Sequence, residues 1–313
     1  MKSAAWKRKL VRPVGTLAPF WYLETKPKTA LPAWVWVLSA GLIVAVYLLF
    51  LRPIWGTVGV DWKANYLPAF QAAAHGSNPY LIHYKPNQGF LNPPWTLLLV
   101  APFAALPQEL GLFLYFVFTL LSFVAVAWKL GAKPVALFAF LLSPPVIQGV
   151  YYLNLEIWVL WGFVLPPPIG MLLVLVKPQM GVVFAVFLLV EAWRQGGWRR
   201  ALWTALPTLS ALGISFVLYG NWIWSALVRN PTILNYDFNH SLGSMGWGVG
   251  AIMVIWALLG RHRPSAMGAS VVLSPYSTLP SWTALMVAFL RSDKWMVAIF
   301  VISTIEVLLR RGL

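Results

Sequence analysis

The chain has 313 residues, no cysteine, 60% hydrophobic and only 10% charged residues, and a mean hydropathy of +0.73. Soluble domains carry roughly 25% charged residues, so this composition argues against one, and the lack of cysteine rules out disulfides and thiolate metal sites. The net charge of +15 invites a nucleic-acid reading, but seven of the 23 Lys and Arg precede the first apolar run and most others fall in short loops. That is the distribution of a membrane protein with its basic side in the cytoplasm, attracted to anionic lipid and not to nucleic acid.

The apolar runs are long and unbroken, which fits membrane helices rather than the alternating ~10-residue strands of a barrel. The sequence therefore predicts an all-α polytopic protein of about ten transmembrane helices. Residues 1–31 form a basic cytoplasmic tail, either lying on the inner leaflet through Trp6, Phe20, Trp21 and Tyr22 or serving as a disordered topology signal. No small-residue cleavage site follows, so the tail does not read as a cleaved signal. Residues 32–313 form one transmembrane domain, and its first run, 32–51, leads out.

Residues 52–92 are then an extracytoplasmic loop that carries Asp61, one of eight acidic residues. Residues 65–75 have the spacing of an interfacial helix ended by Gly76, with a turn at Asn78-Pro79. Pro93-Pro94 opens a second run ending near Pro107, and Gln108-Glu109 makes a cytoplasmic turn. Alternation then gives 110–128 out, Lys129 and Lys133 outside against the positive-inside rule, 134–147 in, and a polar break at 148–154 near the inner face. It continues with 150–165 out, a triple-proline turn, and 169–193 in as one helix kinked at Pro178. A split at Lys177-Pro178 would instead invert these middle runs. The basic loop 194–200 is inside, 201–219 leads out, 221–241 is a second extracytoplasmic loop, and 242–259 returns. Arg261 to Arg263 mark the inside again, and two last runs leave Arg310-Arg311 inside.

Charged side chains in membrane spans cost at least ~2.5–3.5 kcal/mol each, so those present are functional candidates or internal pairs. Asp61, near the outer interface, suits a general base for an acceptor hydroxyl, or a surface charge paired with Lys63 or Arg52. Lys177 suits a phosphate, or pairs with Glu156. Asn154 and Glu156 either line a cavity or bridge helices. In the second loop, Asn235, Asp237, Asn239 and His240 form a polar set in which His240 suits a phosphate contact or an acid. The four His have no metal-ligand spacing, so no metal site is predicted.

The order of these motifs resembles a known family. Asp61 precedes Tyr66, then Gly76 with Asn78-Pro79-Tyr80, then Asn92-Pro93-Pro94 and Leu106-Pro107. Lys177-Pro178-Gln179 is followed by Trp198 to Leu202, and Ser274-Pro275-Tyr276 comes late. This resembles polyprenol-phosphate-dependent glycosyltransferases of the GT-C superfamily, in particular the bacterial mannosyltransferase-like family 87. The resemblance covers most of residues 55–205. It implies many membrane helices with interfacial helices in the first outer loop, an active site on the extracytoplasmic face, and no cofactor. The implied partners are a polyprenyl-phosphate sugar, a hexose such as mannose, and a glycan or lipid acceptor. Asp61 would be the base of an inverting transfer; Lys177, Asn154, Gln179, His240 and Tyr66 would serve donor or substrate. Two positions depart: Tyr151-Tyr152 stands where the family's motif has Gly-Gln, and Asn92 replaces a Tyr. A non-catalytic scaffold of the same fold and a flippase for lipid-linked glycans are the alternative expectations.

Overall fold

A computed structural model describes residues 52–82, 89–228 and 239–310, which are helical with no strand among them. The tail 1–31 and the run 32–51 lie outside the described residues, as do Asn235 and Asp237.

A 3-10 turn, Arg52–Thr57, and a π turn, Trp62–Tyr66, lead into α1, Leu67–Ala74. Then come α2, Thr96–Ala104, and α3, Gln108–Lys129. Helices α4, Pro134–Leu141, and α5, Pro144–Tyr152, meet at a 53° bend where Ser143-Pro144 interrupts the ladder. Helices α6, Glu156–Gly162, and α7, Pro167–Val174, are short. Helix α8, Pro178–Tyr219, has two segments divided at Gly196-Gly197, where Gly197 has a φ of 63°. Beyond it are α9, Trp222–Val228, α10, Ser244–Leu259, and α11, Arg263–Leu273. The last elements are α12, Thr283–Met286, flanked by 3-10 turns, and α13, Asp293–Arg310. Among the described residues, α3 and α8 are long and apolar enough to cross a membrane, and α4 with α5 would make a third such span.

Most elements run between two ends of the molecule. At one end Glu191, with a side chain only 1% exposed, accepts the guanidinium fork of Arg261 and, at 2.9 Å, a hydrogen bond from Arg194. Arg263 donates to the Phe163 carbonyl, and Arg291 lies near enough for the two charges to repel. Arg291 donates to the Leu130 carbonyl, and Lys133 N–H to the Leu290 carbonyl. Lys129 and Lys133 thus share one basic end with both Arg-rich segments, and the strain on the positive-inside rule disappears.

The reason is α2. Nine residues span only about 13 Å, too short to cross ~30 Å of hydrocarbon. Before α2, the Asn92 amide donates to the Val176 carbonyl at 3.0 Å; after it, Glu109 accepts the Trp55 indole at 3.1 Å. The Gln108-Glu109 turn therefore lies at the same end as residues 52–57, not opposite them, and alternation is inverted from there on. The single kinked helix expected over 169–193 is likewise two helices, broken at 175–177. Helices α6 and α7 form a hairpin: it starts at Glu156, turns after Phe163 and returns so that Lys177 meets Glu156. The first segment of α8 then runs back along α7, bringing Phe184 to 4.8 Å from Phe163. Val174 sits between Gly162 and Gly181, where any Cβ would fall within 2.6 Å of it. Such glycines let membrane helices approach closely.

At the far end of the last helix, Glu306 pairs with Arg310 and His240, and the His240 N–H meets the Ser277 carbonyl. Asp293, at the start of α13, instead caps the Ala136 N–H beside Lys133. Arg310 thus lies at the end opposite the basic one, not at the inner face that alternation assigned to it.

The outward faces are apolar. In the second segment of α8, Trp203, Ile214, Val217 and Leu218 are exposed while Thr204, Thr208 and Ser215 are buried. Helices α10 and α13 expose Trp247, Ile252, Leu259, Trp295 and Ile302 in the same way.

Candidate active site

Between α5 and α6 the chain turns through Leu153, a buried residue in the left-handed region at φ 53°, ψ 51°. That conformation costs a β-carbon-bearing residue about 1–3 kcal/mol. It delivers Asn154 into the centre of a polar cluster. The Asn154 carbonyl oxygen accepts from Tyr66 Oη at 2.5 Å, from the Leu155 N–H at 2.7 Å and from Lys177 Nζ at 3.2 Å. Three donors fix that oxygen, so the amide nitrogen must point the other way, to Asp61 Oδ2 at 2.5 Å. The Asn154 backbone carbonyl accepts from Tyr115 Oη, which in turn accepts from the Trp158 indole.

Asp61 is positioned by its own turn. Asn65, four residues on, donates to Oδ1 at 3.3 Å and accepts the Gly89 N–H at 2.9 Å. Gly59 N–H bonds the Tyr151 carbonyl, tying the turn to the end of α5. Trp62 packs against Tyr115 with the rings tilted and their centroids 4.8 Å apart. Lys63 does not pair with Asp61; its ammonium caps the Trp55 and Gly56 carbonyls. Asp61 is half-buried, and burial pushes its carboxyl up to about 6, against the pull of the Lys177 charge; Glu156 raises it further and the Asn154 hydrogen bond lowers it. Burial, followed by the charges of Asp61 and Glu156, holds the Tyr66 phenol well above its ordinary value. Tyr66 therefore stays a donor.

Lys177 closes the cluster. Its side chain is 5% exposed and its ammonium lies 2.5 Å from Glu156 Oε1. The other Glu156 oxygen is buried with no hydrogen-bond partner among the described residues. Three stretches of chain thus bring Asp61, Tyr66, Asn154, Glu156 and Lys177 together, and Tyr276 of the Ser-Pro-Tyr motif is near enough to act electrostatically on Tyr66.

The polar break that alternation assigned to the inner face therefore touches Asp61, and the sequence's placement of Asn154 is corrected by the turn-back of α2. Gln179, half-buried in the first turn of α8, makes no hydrogen bond to the cluster. His240 is elsewhere, bonded to Glu306 at 3.0 Å, with the Trp282 indole on its carbonyl; burial lowers its pKa first, and Glu306 opposes that. Asn65 and Tyr115 were missed by sequence reasoning. The i, i+4 spacing from Asp61 was the available sign for Asn65; Tyr115 is one aromatic among many in an apolar run. Among the described residues no group of three His, Cys, Asp or Glu is placed to hold a metal.

The site and the basic end are well separated. Lys177 precedes Glu191 by fourteen residues of α8, and Tyr115 precedes Lys129 by fourteen residues of α3, about 21 Å in each case. No protein-family description, curated protein or solved structure matches this chain.

Proposed function

We propose that this chain is a multi-pass membrane glycosyltransferase that moves a sugar from a polyprenyl-phosphate donor to a glycan or lipid acceptor on the extracytoplasmic face, with Asp61 as general base. One observation carries the reading: the motif residues Asp61, Tyr66, Asn154 and Lys177, far apart in sequence, form one polar cluster at the end opposite the basic surface. A lipid-linked donor arrives laterally, so its phosphate must be met near head-group depth. The Asp61 Oδ1 contact is long, which leaves that oxygen able to accept a proton from an attacking hydroxyl. Mannose or another hexose fits the resemblance. The acceptor is any hydroxyl that reaches Asp61.

In this reading the basic end is cytoplasmic. Residues 52–107 lie on the outer side. Helix α3 goes in, α4 with α5 comes out, and the α6–α7 hairpin dips and returns. The segments of α8, then α10 and α13, run between the two faces, with the eleven-residue α11 and residues 279–289 folded back and forth inside the protein, leaving Arg310 outside. The exposed apolar faces of α8, α10 and α13 meet lipid. Cysteine labelling tests this directly because the chain has none. A cysteine at Gln108 is expected to react with an impermeant maleimide on intact cells, and one at Lys133 only after permeabilisation. The opposite pattern would restore strict alternation.

The function is tested by sugar transfer from a panel of polyprenyl-phosphate sugars in membranes carrying the chain. Asp61→Asn is expected to reduce transfer by at least about 10²-fold, the lower range for general-base catalysis. The base works ionised, so transfer should rise with pH through about 6 and level off above it. Transfer that survives Asp61→Asn would remove Asp61 from the chemistry. A second reading, a flippase, is favoured by the broken helices around buried charges. Donor movement between leaflets without transfer would support it.

A further inference from the structure

The Lys177 ammonium is enclosed. Its side chain is 5% exposed, and two of its contacts are to Glu156 Oε1 at 2.5 Å and to the Asn154 carbonyl at 3.2 Å. A donor phosphate could reach it only by displacing Glu156, which is 1% exposed and has no other side-chain partner among the described residues. The Asn154 carbonyl, in contrast, takes Lys177 as one of its three donors. With the ammonium removed, Tyr66 and the Leu155 N–H still hold that oxygen, and the amide that faces Asp61 loses its third anchor, the one on the Glu156 side.

We infer that the Lys177–Glu156 pair is the positioning element of the site, fixing Asn154 and through it the Asp61 carboxylate, and does not bind the phosphate of the substrate. The inference rests on the reading of Asp61 as the base. It also accounts for Glu156, whose carboxylate holds the lysine where only Asn154 can use it. The charged and titratable groups around Asp61 come from four packed elements. They are Glu156 on α6, Lys177 before α8, Tyr66 on the π turn and Tyr115 on α3. Tyr276, after α11, acts on Tyr66, and Lys63 is turned away.

The test is a titration of Asp61 in the full chain in lipid nanodiscs. Infrared difference spectra follow its carboxyl band, assigned by its loss in Asp61→Asn. Glu156→Gln keeps a hydrogen-bond acceptor for Lys177 but removes a negative charge, so the Asp61 midpoint should fall by about one pH unit. The acid limb of transfer should move with it. Lys177→Met/Glu156→Gln leaves no charge in the pair, so the midpoint should rise back toward that of the unaltered protein. Donor KM should hold within about twofold in Glu156→Gln while the pH profile moves, because the effect reaches the substrate only through Asp61. A phosphate-binding Lys177, released from Glu156, would instead lower that KM. An Asp61 midpoint unmoved in a folded Glu156→Gln protein, or a lowered donor KM, would overturn the inference. The two readings fail separately. A shifted midpoint with no transfer from any donor keeps the positioning pair and discards the glycosyltransferase; transfer dependent on Asp61 with an unmoved midpoint does the reverse.

Discussion

Lys177→Met is expected to destabilise the protein by about 3–5 kcal/mol, the range for removing one partner of a buried ion pair. Among the described residues, the lysine is the sole side-chain partner of a carboxylate that is 1% exposed, and the second oxygen of that carboxylate is already unsatisfied. Without the ammonium, Glu156 is left as a buried carboxylate with no side-chain partner among the described residues. The result should be a large fall in the unfolding midpoint in detergent. Lys177→Met/Glu156→Leu should recover most of the loss, since well-packed apolar replacements of a buried pair are often neutral or stabilising. Recovered stability without recovered transfer would separate the fold from the chemistry. Equal midpoints for Lys177→Met and the unaltered protein would show the pair to be hydrated.

The second large effect lies at the crossing of α6, α7 and α8. A Cβ on Gly181 would overlap the Val174 carbonyl oxygen and come within 2.6 Å of the Val174 Cβ. The obstacle is backbone, which a rotamer change cannot move. Gly181→Ala should therefore cost about 1–3 kcal/mol, the usual range for overpacking, and Gly162→Ala, against Val174 and the Gly170 carbonyl, a similar amount. Gly213→Ala is the control. It lies on the same helix as Gly181, its Cβ would meet nothing within 4 Å, and it should be neutral or slightly stabilising. Thermal scans of the three variants in one detergent decide the matter. Equal behaviour of Gly181→Ala and Gly213→Ala would mean that the hairpin is looser than this packing implies. Transfer should fall with Gly181→Ala, because a shift of α7 against α8 moves Lys177, which stands between them.

The site was more legible in the sequence than the path of the chain. Asn154, Glu156 and Lys177 could be picked out because a polar side chain in an apolar run must be satisfied internally, whereas Asp61 stood out as a carboxylate at the outer interface and Tyr66 only through the order of the motifs. The pairing of Lys177 with Glu156 also had a local sign, in their charge complementarity. Topology failed at residues 93–107 because hydropathy counts apolar residues and does not register where a chain reverses. Pro93-Pro94 and Leu106-Pro107 bound that run as a nine-residue helix with a turn at each end, and an apolar helix that turns back reads like one that crosses. One such error inverts every later assignment until a second one cancels it, which is how the Arg-rich loops still came out on one face. Gln179 and His240 carried no comparable constraint: each is a polar residue at a helix start or loop, where water or a local partner satisfies it.

The α6–α7 hairpin also governs the order in which this protein can be made. The insertion machinery retains apolar segments of about twenty residues, and α6 and α7 have seven and eight. In the proposed topology neither holds a place in the bilayer without the first segment of α8 packed against it. Without that segment Asn154 and Glu156 lack Lys177 and Gly181, the two contacts that hold the hairpin down. The site is thus complete only once the start of α8 has packed, and a chain truncated before residue 177 would carry Glu156 without its partner.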